Sequence, residues 1–310
     1  MNTYTSIYRY HSAQKTVVTL GTFDGVHKGH QKIIERLVQS AEQCSCESLV
    51  LTFFPHPRMV LQDQNEIKLL STIDERIQKL EALGIDHVVV HPFDQEFSRL
   101  TAEEFVEKVL VQHFNIQKII IGHDHRFGRN RTANIDDLKV FGEKFGFEVE
   151  EISAQEINTV SVSSTKIRTA LHEGNIETAN AYLGYPYTLN GIVITGKGLG
   201  KTLRFPTANL KLDADYKLIP QNGVYIVQCL LDGQMLHGMM NIGINPTVDG
   251  TQQSIEVHFL DFNASLYHKN LTLQILHRIR DEIKFDSVSE LQKQLELDQQ
   301  TTLAFFENQP

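Results

Sequence analysis

The chain of 310 residues carries 38 acidic and 29 basic side chains, which gives a formal net charge of −9 at pH 7. This balance argues against a general nucleic-acid binder, because such proteins neutralise phosphates with excess lysine and arginine. The length and a hydrophobic fraction of 41% are typical of a globular chain with two domains. No apolar run reaches membrane-spanning length, and the first fifteen residues contain no apolar signal region. We expect no nucleic-acid or membrane partner, and a monomer or weak homo-oligomer.

Cysteine is scarce in this chain. Cys44 and Cys46 lie close together, and Cys229 lies far along the sequence. This odd, sparse set fits neither a disulfide framework nor a four-ligand zinc site, and it favours a reducing compartment. The localisation that we expect is the cytoplasm.

The segment from Gly21 to Gln31, GTFDGVHKGHQ, joins an apolar run to an amphipathic helical pattern. A buried strand, a glycine-rich turn and a helix are how an open α/β sheet presents a helix N-terminus to a phosphate. At that turn His27 and His30 can donate hydrogen bonds to phosphate oxygens, beside the free backbone N–H groups. The alternative is a pair of surface histidines in a loop, which the position between strand and helix makes less favoured.

Up to residue 152, apolar runs alternate with helical patterns. The predicted strands are 17–20, 48–54, 87–90, 118–121 and 147–152, and the predicted helices are 74–83, 101–110 and 136–145. The alternation predicts a parallel, doubly wound sheet, whose ligands lie at the carboxyl ends of strands. Turns at Gly21, at 54–57 and at Gly122 follow three of these strands, so we expect one cleft there.

A basic and hydroxyl-rich element follows at 162–168, VSSTKIR. Ser163 or Ser164 is a good helix N-cap, and Lys166 and Arg168 at a helix start suit a polyphosphate. The alternative is a capped helix whose basic residues face water. Similarly, the three arginines of HRFGRNR could hold phosphates, but a solvated turn is the more common use of such a cluster.

From residue 188 onward, short alternating runs are separated by turn residues. They lie at 191–195, 223–231, 235–240, 254–262 and 271–277, after a helix at 175–183. This spacing predicts an antiparallel β-barrel, followed by helices at 287–297 and 303–306. We place the domain boundary between residues 184 and 185, which gives domains of 1–184 and 185–310.

The barrel half contains a glycine- and lysine-rich loop, GKGLGK, shortly before the sequence FPTAN. The Thr207 hydroxyl and the Asn209 amide oxygen, presented by a rigid proline, could complete a Mg²⁺ shell of water and ATP phosphates. Glu256 alternates with buried-type neighbours and is therefore a candidate general base on the ligand side of a strand. A generic hairpin loop and a solvent-facing glutamate are the alternatives.

The motifs of the first half resemble, in order, the adenylyltransferase module of bacterial bifunctional riboflavin kinase/FAD synthetases. They are GTFDGVHKGHQ, TFFPHP at 52–57, GHDHRFGRNR at 122–131 and SSTKIR at 163–168. The resemblance implies an ATP site of Gly21, Phe23, His27, His30, Ser164, Thr165 and Arg168. It implies a flavin site of Phe54, His56, Pro57, Asp124, Arg126 and Phe127. Two residues depart from the family, His125 in place of an aromatic and Ala133 in place of a glycine.

The motifs of the second half resemble riboflavin kinase. They are GKGLGKTLRFPTANL, PQNGVY, NIGINPTV, IEVHFLDF and RIRDEIKF. The resemblance implies an ATP site of Gly196, Lys197, Gly200, Lys201 and Thr207, with Mg²⁺ at Thr207 and Asn209. It implies Glu256 as the catalytic base. Arg204 stands where the family has glycine, and a positive φ there would cost roughly 1–2 kcal/mol.

Together the two resemblances imply a Rossmann-like nucleotidyltransferase domain followed by a kinase barrel. The implied enzyme phosphorylates riboflavin to FMN and adenylylates FMN to FAD, each time from ATP with Mg²⁺, with Glu256, His27 and His30 as catalytic residues. Two alternatives stay open. The chain could be a nucleotidyltransferase for another phosphorylated acceptor with a degenerate barrel, or a non-catalytic flavin or nucleotide sensor.

Overall fold

A computed structural model describes residues 1–61, 67–122, 125–153, 162–196, 200, 203–247 and 250–308 of the chain. By its internal contacts the chain forms two compact units, Met1–Ser164 and Thr165–Pro310. Within the described ranges, no helix combines the length and the apolar character that a membrane crossing needs.

The first unit is built on a six-stranded parallel sheet with the order β1-β4-β3-β2-β5-β6. Its strands are β1 (Asn2–Tyr4), β2 (Thr16–Leu20), β3 (Glu47–Phe53), β4 (His87–His91), β5 (Ile116–Gly122) and β6 (Glu148–Ile152). Its helices are α1 (Lys28–Cys44), α2 (Pro57–Leu61), α3 (Ile73–Glu81), α4 (Gln95–Ser98), α5 (Ala102–Phe105), which continues in π-helical turns at Val106–Val111, and α6 (Ile135–Phe145). Strand β1 was not predicted, because its three residues carry too short a pattern to distinguish a strand from a loop.

The strand residues alternate between two cores, one on each face of the sheet. Val18, Leu51 and Ile119 join the core formed with α5, its π-helical continuation and α6. Val17 and Val50 join the opposite core, formed with α1 and α3. The predicted doubly wound parallel sheet is therefore confirmed, and its near-continuous apolar strands follow from burial on both faces.

The strand order places a topological switch point beside β2. From β2 the chain proceeds outward to β3 and β4, and then returns to β5 on the other side of β2. In open α/β sheets the ligand crevice lies outside the carboxyl ends of the strands at such a point. The turns that follow β2 and β5 therefore border the expected ligand cleft.

The second unit is a closed antiparallel barrel with the strand order β10-β11-β8-β7-β12-β9. Its strands are β7 (Tyr187–Ile194), β8 (Ala208–Leu212), β9 (Gly223–Leu231), β10 (Gln234–Thr247), β11 (Gly250–Phe259) and β12 (Asn270–Arg280). Its helices are α7, which runs over Ser164–His172 from the last residue of the first unit, α8 (Ile176–Leu183) and α9 (Val288–Glu307). The predicted antiparallel barrel with a terminal helix is confirmed.

Asn180 bonds helix α8 to the barrel. The Asn180 Nδ2 group donates to the Ile275 carbonyl at 2.9 Å, and Oδ1 accepts from the Tyr187 N–H at 2.7 Å. These contacts explain why α8 belongs to the second compact unit. The boundary of the functional domains between residues 184 and 185 stays a prediction.

Two elements of this unit differ from the sequence prediction. Strand β8 was not among the predicted strands, because the turn-like FPTAN sequence runs into it. The helices expected at 287–297 and 303–306 are one continuous helix, α9. The interval between them contains Asp298, a polar residue that interrupts the apolar pattern but is buried against Arg280.

The structure joins Cys44 and Cys46 in a disulfide, with their Cα atoms 5.3 Å apart, and leaves Cys229 buried and free. The sparse, odd set of cysteines predicts no disulfide framework. This bridge spans two residues at the end of α1, so it closes no long loop of the chain and crosslinks no two elements of the core.

Candidate active sites

The turn after β2 has an unusual backbone. Gly25 has a φ of 82°, and two non-glycine residues, Phe23 and Val26, have φ values of 47° and 36°. Positive φ is rare outside glycine, and for a β-branched residue such as valine it is a genuine outlier. Backbone of this kind persists where surrounding contacts fix it, and it clusters at functional sites.

Asp24 supplies the contacts that fix this turn. Its buried carboxylate accepts hydrogen bonds from the backbone N–H groups of Leu70 and Ser71, each at 3.0 Å. The Ser71 hydroxyl in turn accepts from the Gly25 N–H at 3.0 Å. Leu70 and Ser71, just before α3, therefore hold the turn in place. The sequence alone did not predict these contacts.

Arg76 lies next to these contacts and is fully buried. Its Nη2 atom is 4.0 Å from the Asp24 carboxylate, and its Nη1 atom donates to Thr52 Oγ1 at 3.2 Å. The guanidinium thus connects the β2 turn to the end of β3. Beside the larger effect of burial, the Arg76 charge also contributes to lowering the pKa of His30, at the start of α1.

His27 and His30 are stacked at the N-terminus of α1, with ring centroids 3.7 Å apart and planes 15° apart. His27 is the N-cap, because its Nδ1 atom accepts from the His30 backbone N–H at 3.4 Å. An acceptor Nδ1 puts the proton of a neutral imidazole on Nε2. The sequence predicted two phosphate donors here; the structure adds that one of the pair caps the helix.

The His30 imidazole is neutral at physiological pH. Burial, with smaller contributions from His27 and the Arg76 charge, lowers the pKa of His30 well below its usual range. Its Nδ1 atom is buried and has no hydrogen-bond partner among the residues that the structure describes. A neutral ring with an uncommitted nitrogen can hydrogen-bond a ligand without a charged partner. Phe23 packs edge-on against this ring, with centroids 5.1 Å apart.

A cavity of about 850 Å³ opens at the carboxyl ends of β2, β3, β4 and β5. This volume lies within the range of small-molecule sites. Its lining includes Leu20, Gly21, Thr22, Phe53, Pro57, Val60, Leu61, Phe93, Phe97, Leu100, Phe105, Arg99, Arg126, Phe127, Arg129 and Arg131. The single cleft predicted at these strand ends is thus present, with an aromatic wall and several arginines.

The predicted flavin residues divide between this cavity and its surroundings. Pro57, Arg126 and Phe127 line the cavity, whereas Phe54 and His56 do not. His56 is buried, and its Nδ1 atom accepts from the Arg58 N–H at 3.1 Å, which shapes the start of α2. Asp124 lies outside the described residues.

Several aromatic residues of the cavity were not predicted from the sequence. Phe53 lines it in place of Phe54, because it is Phe53 that faces the core beside α5. Phe93 and Phe97 contact the Phe53 ring at centroid distances of 5.6 and 5.5 Å. Both follow β4, so the rule of strand carboxyl ends, applied to HPFDQEF, would have found them.

A short β-bridge fixes the loop that contains the departures His125 and Ala133. Phe127 and Ala133 form an antiparallel bridge, with N–H···O distances of 3.1 and 3.2 Å. The His125 ring lies nearly parallel to Phe127, at 6.5 Å between centroids. The His125 imidazole therefore stacks where the family has an aromatic ring. Ala133 forms the bridge at the position where the family has glycine.

The second phosphate-type element begins where it was predicted. Helix α7 starts at Ser164, whose hydroxyl donates to the Asp24 carbonyl at 3.1 Å. This bond ties Ser164, the last residue of the first unit, to the β2 turn. Thr165 and Arg168 follow on α7, within the second compact unit, and their role in ATP binding stays a prediction.

In the barrel, Glu256 lies between two asparagines on neighbouring strands. It is directly opposite Asn209 of β8 on one side and Asn241 of β10 on the other. Its Oε2 atom accepts a hydrogen bond from the Thr207 hydroxyl at 3.2 Å. Glu256 is half-buried while Ile255 and Val257 are buried, as the alternation predicted.

The loop before β8 approaches this cluster closely. A Cβ atom at Gly196 would lie 2.1 Å from the Asn209 amide nitrogen, and one at Gly200 would lie 2.2 Å from the Phe205 carbonyl. Arg204 has a φ of 66°, so the position does need positive φ. Lys197 and Lys201 lie outside the described residues.

The donors of this cluster are hard oxygen ligands. Thr207 offers a hydroxyl, Asn209 a carbonyl oxygen and Glu256 a carboxylate, and the Thr207–Glu256 contact is 3.2 Å. Such a set suits Mg²⁺, which usually keeps several waters and substrate phosphates as its other ligands. In the described part of the chain, no group of three or more His, Cys, Asp or Glu side chains is arranged to hold a metal without a substrate.

Comparisons with known proteins agree with both halves of this arrangement. A family model described as FAD synthetase matches residues 10–166, and one described as riboflavin kinase matches residues 183–306. The chain is 40% identical to the bifunctional riboflavin kinase/FMN adenylyltransferase of Listeria monocytogenes, over 94% of this chain and 92% of the relative. The chain belongs to this family.

Another member of the family and a solved structure are also similar to the chain. The Haemophilus influenzae member of the family is 37% identical, over 94% of this chain and 95% of the relative. A crystal structure described as a macrolide-efflux protein from Streptococcus pneumoniae matches with a TM-score of 0.89 at 32% identity, covering 100% of this chain and 99% of that one. This likeness confirms the fold class that the sequence predicts for the chain.

Proposed function

We propose that the chain makes FAD from riboflavin in two consecutive transfers from ATP. The barrel phosphorylates riboflavin to FMN, and the sheet unit adenylylates FMN and releases pyrophosphate. Membership in a family that combines both activities supports this proposal over a degenerate barrel or a non-catalytic sensor. We further propose functional domains of 1–184 and 185–310, a cytoplasmic location, and a monomer or weak homo-oligomer.

The kinase half rests on the contact between Thr207 and Glu256 at 3.2 Å. Glu256 takes the proton of the riboflavin 5′-hydroxyl while that oxygen attacks the γ-phosphorus of ATP. The products are FMN and ADP, and the proton remains on the carboxyl group until it leaves to solvent. A positioned base of this kind contributes a factor of about 10² to 10⁴ in rate.

Thr207 and Asn209 are the residues that would hold Mg²⁺ beside this base. The bound ion supplies positive charge for the phosphate oxygens. Asn209 faces Glu256 across the β8–β11 pair, so a cation ligand and the base lie on adjacent strands. Gly196 and Gly200, with Lys197 and Lys201 of the same loop, complete the ATP site that we propose for the barrel.

The adenylyltransferase half rests on the cavity of about 850 Å³ at the switch point of the sheet. The FMN phosphate is already an anionic nucleophile, so the transfer to the α-phosphorus of ATP needs alignment and charge stabilisation rather than a base. Phe53, Phe97 and Phe127 suit an aromatic ring system. Arg126, at the cavity wall, suits the phosphate of the acceptor.

The ATP of this second reaction would lie at the β2 turn. His30 has an unpartnered nitrogen at the start of α1, where the helix dipole also favours an anion. His27 adds an Nε2–H donor beside it. Ser164, Thr165 and Arg168 complete the phosphate contacts that we propose, with Gly21 and Phe23 close to the nucleotide.

The proposal is tested by incubating the purified chain with riboflavin and Mg-ATP and separating FMN from FAD by chromatography. We expect FMN to appear first and FAD to follow. A parallel reaction with FMN and with other phosphorylated acceptors tests the flavin preference of the cavity. If only other acceptors are adenylylated, or if no ATP is consumed, the proposed function is wrong.

A further inference from the structure

His258 lies on β11, two residues beyond Glu256. Side chains alternate along a strand, so these two residues project from the same face. His258 is only 9% exposed, and the kinase chemistry described above does not use it. It is therefore a buried polar side chain beside the proposed base with no assigned role.

The His258 ring is bonded to the loop that carries Thr207. Its Nδ1 atom lies 2.9 Å from the Pro206 carbonyl oxygen. A carbonyl oxygen can only accept, so Nδ1 carries the hydrogen and donates. The same ring packs edge-on against Phe205, with centroids 5.2 Å apart.

Two side chains of β11 thus hold successive residues of one loop. Glu256 accepts from the Thr207 hydroxyl at 3.2 Å, and His258 donates to the carbonyl of the preceding residue, Pro206, at 2.9 Å. Because the Pro206 carbonyl and the Thr207 nitrogen belong to the same peptide plane, holding the former fixes where the Thr207 side chain starts. The hydrogen bond of His258 therefore bears directly on the Thr207–Glu256 geometry.

We propose that His258 is a positioning residue for phosphoryl transfer, acting through the Pro206 carbonyl to keep Thr207 in place against Glu256. The proposal rests on the proposed kinase function of the barrel. Its physical basis is that misplacing a reacting group by about 1 Å can cost about 10²-fold in rate. Riboflavin affinity depends less on this geometry, so we expect the effect in kcat rather than in the riboflavin KM.

A packing role would also explain a buried histidine beside Phe205, and two nearly isosteric variants separate it from positioning. His258→Asn places an amide N–H close to where Nδ1 lies, whereas His258→Leu offers no donor. Both lose the ring contact with Phe205, so a packing role predicts at least as much damage from the polar asparagine as from the apolar leucine. A positioning role predicts that only the leucine variant loses turnover.

The experiment measures riboflavin phosphorylation. In the same preparations, adenylylation of supplied FMN is the control for the first unit, and thermal unfolding is the control for folding of the barrel. We expect His258→Leu to lower the kinase kcat by about 10- to 100-fold, with the riboflavin KM changed by less than about threefold. We expect His258→Asn to keep most of the kinase turnover, at the same thermal midpoint as the leucine variant. A loss of kcat in His258→Asn equal to or greater than that in His258→Leu, or unchanged kcat in His258→Leu, overturns the proposal.

A double-mutant cycle tests the route through Thr207. If His258 acts by placing the Thr207 hydroxyl, His258→Leu should lower kcat much less in a Thr207→Ala background than in the wild-type chain. Full additivity would exclude that route. Failure of the proposed function differs from failure of the His258 proposal. In the first case the wild-type chain forms no FMN. In the second case both the wild type and His258→Leu form FMN at similar rates, which rejects only the role of His258.

Discussion

Arg280 and Asp298 form a bidentate ion pair that fastens helix α9 to the end of strand β12. The Arg280 Nε atom lies 3.0 and 3.1 Å from the two carboxylate oxygens, and Nη2 lies 2.7 Å from Oδ2. The Asp298 side chain is 1% exposed. On the same helix, Leu295 packs against a small core that contains Phe205. The ion pair thus holds the helix whose Leu295 packs against the core of Phe205, the residue just before Pro206 and Thr207.

We predict that Asp298→Asn destabilises the barrel unit, because it leaves the Arg280 charge without its buried partner. Breaking such a pair costs about 3–5 kcal/mol. Thermal unfolding by calorimetry, together with heat inactivation of the kinase, measures the loss. Glu296→Gln removes an exposed charge from the same helix and should change stability by less than about 0.5 kcal/mol. Equal midpoints for the two variants would contradict the prediction.

Glu256→Gln should stop FMN production while riboflavin and ATP still bind. The amide keeps an oxygen that can accept from Thr207, which now bonds Glu256 at 3.2 Å, but it cannot take a proton. We expect a loss of about 10²- to 10⁴-fold in kinase kcat. FAD formation from supplied FMN is the internal control and should be unchanged. Near-normal kinase turnover would show that Glu256 is a solvent-facing strand residue and not the base.

The parts of the fold that sequence could predict are those with regular apolar spacing. Runs such as those around Val18 and Val50 indicated buried parallel strands, and the glycine-rich turn before His27 indicated a ligand site at a strand carboxyl end. Glu256 could be singled out because its neighbours Ile255 and Val257 are apolar on a strand. In each case burial alone determines the pattern, so local sequence carries the information.

The parts that sequence could not predict depend on contacts between distant residues. The bond between Asp24 and the Ser71 N–H joins segments 47 residues apart, and no periodicity marks it. In the sequence, Asp298 interrupts the apolar pattern and so indicates the end of a helix. In the structure it lies within a continuous helix, because Arg280 pairs with it. The aromatic side chains after β4 are a different case, because they lie at a strand carboxyl end and the general rule for parallel sheets covers them.

We predict that His30→Ala stops FAD formation while FMN still accumulates from riboflavin. His30 belongs to the first unit and Glu256 to the second, so the kinase reaction should not depend on the histidine. The lowered pKa of His30 adds a pH prediction: a function of its neutral imidazole should persist as pH falls through 6.5. Loss of FMN formation in a folded His30→Ala protein would show that the two reactions do not have separate sites.

His91 should make the chain acid-sensitive. Burial lowers the pKa of His91 to about 4, with Asp94 raising it and His113 lowering it by smaller amounts. An unfolded histidine titrates near 6.5, so below that pH the unfolded state binds more protons and stability falls as pH falls. The loss attributable to this group should reach roughly 3 kcal/mol at pH 4 and below.

The variant His91→Asn isolates this contribution. Its side-chain oxygen can still accept from the Ile7 N–H, which lies 3.4 Å from His91 Nδ1, but it does not titrate. We expect the acid limb of stability, followed by circular dichroism in urea between pH 7 and pH 4, to be shallower than in the wild type. His11→Asn, which replaces an exposed histidine, should leave the limb unchanged. An identical slope for His91→Asn and the wild type would refute the assignment.

Arg204→Gly should keep or improve kinase activity. The φ of 66° at Arg204 costs a side-chain-bearing residue about 1 kcal/mol or more, and glycine removes that cost, although greater freedom of the unfolded chain offsets part of the gain. We expect a slightly higher thermal midpoint and an unchanged KM for ATP. Arg204→Ala is the matched control, because it removes the guanidinium but keeps the Cβ atom and hence the strain. If both variants raise the KM for ATP several-fold at unchanged midpoints, the arginine is a nucleotide contact instead.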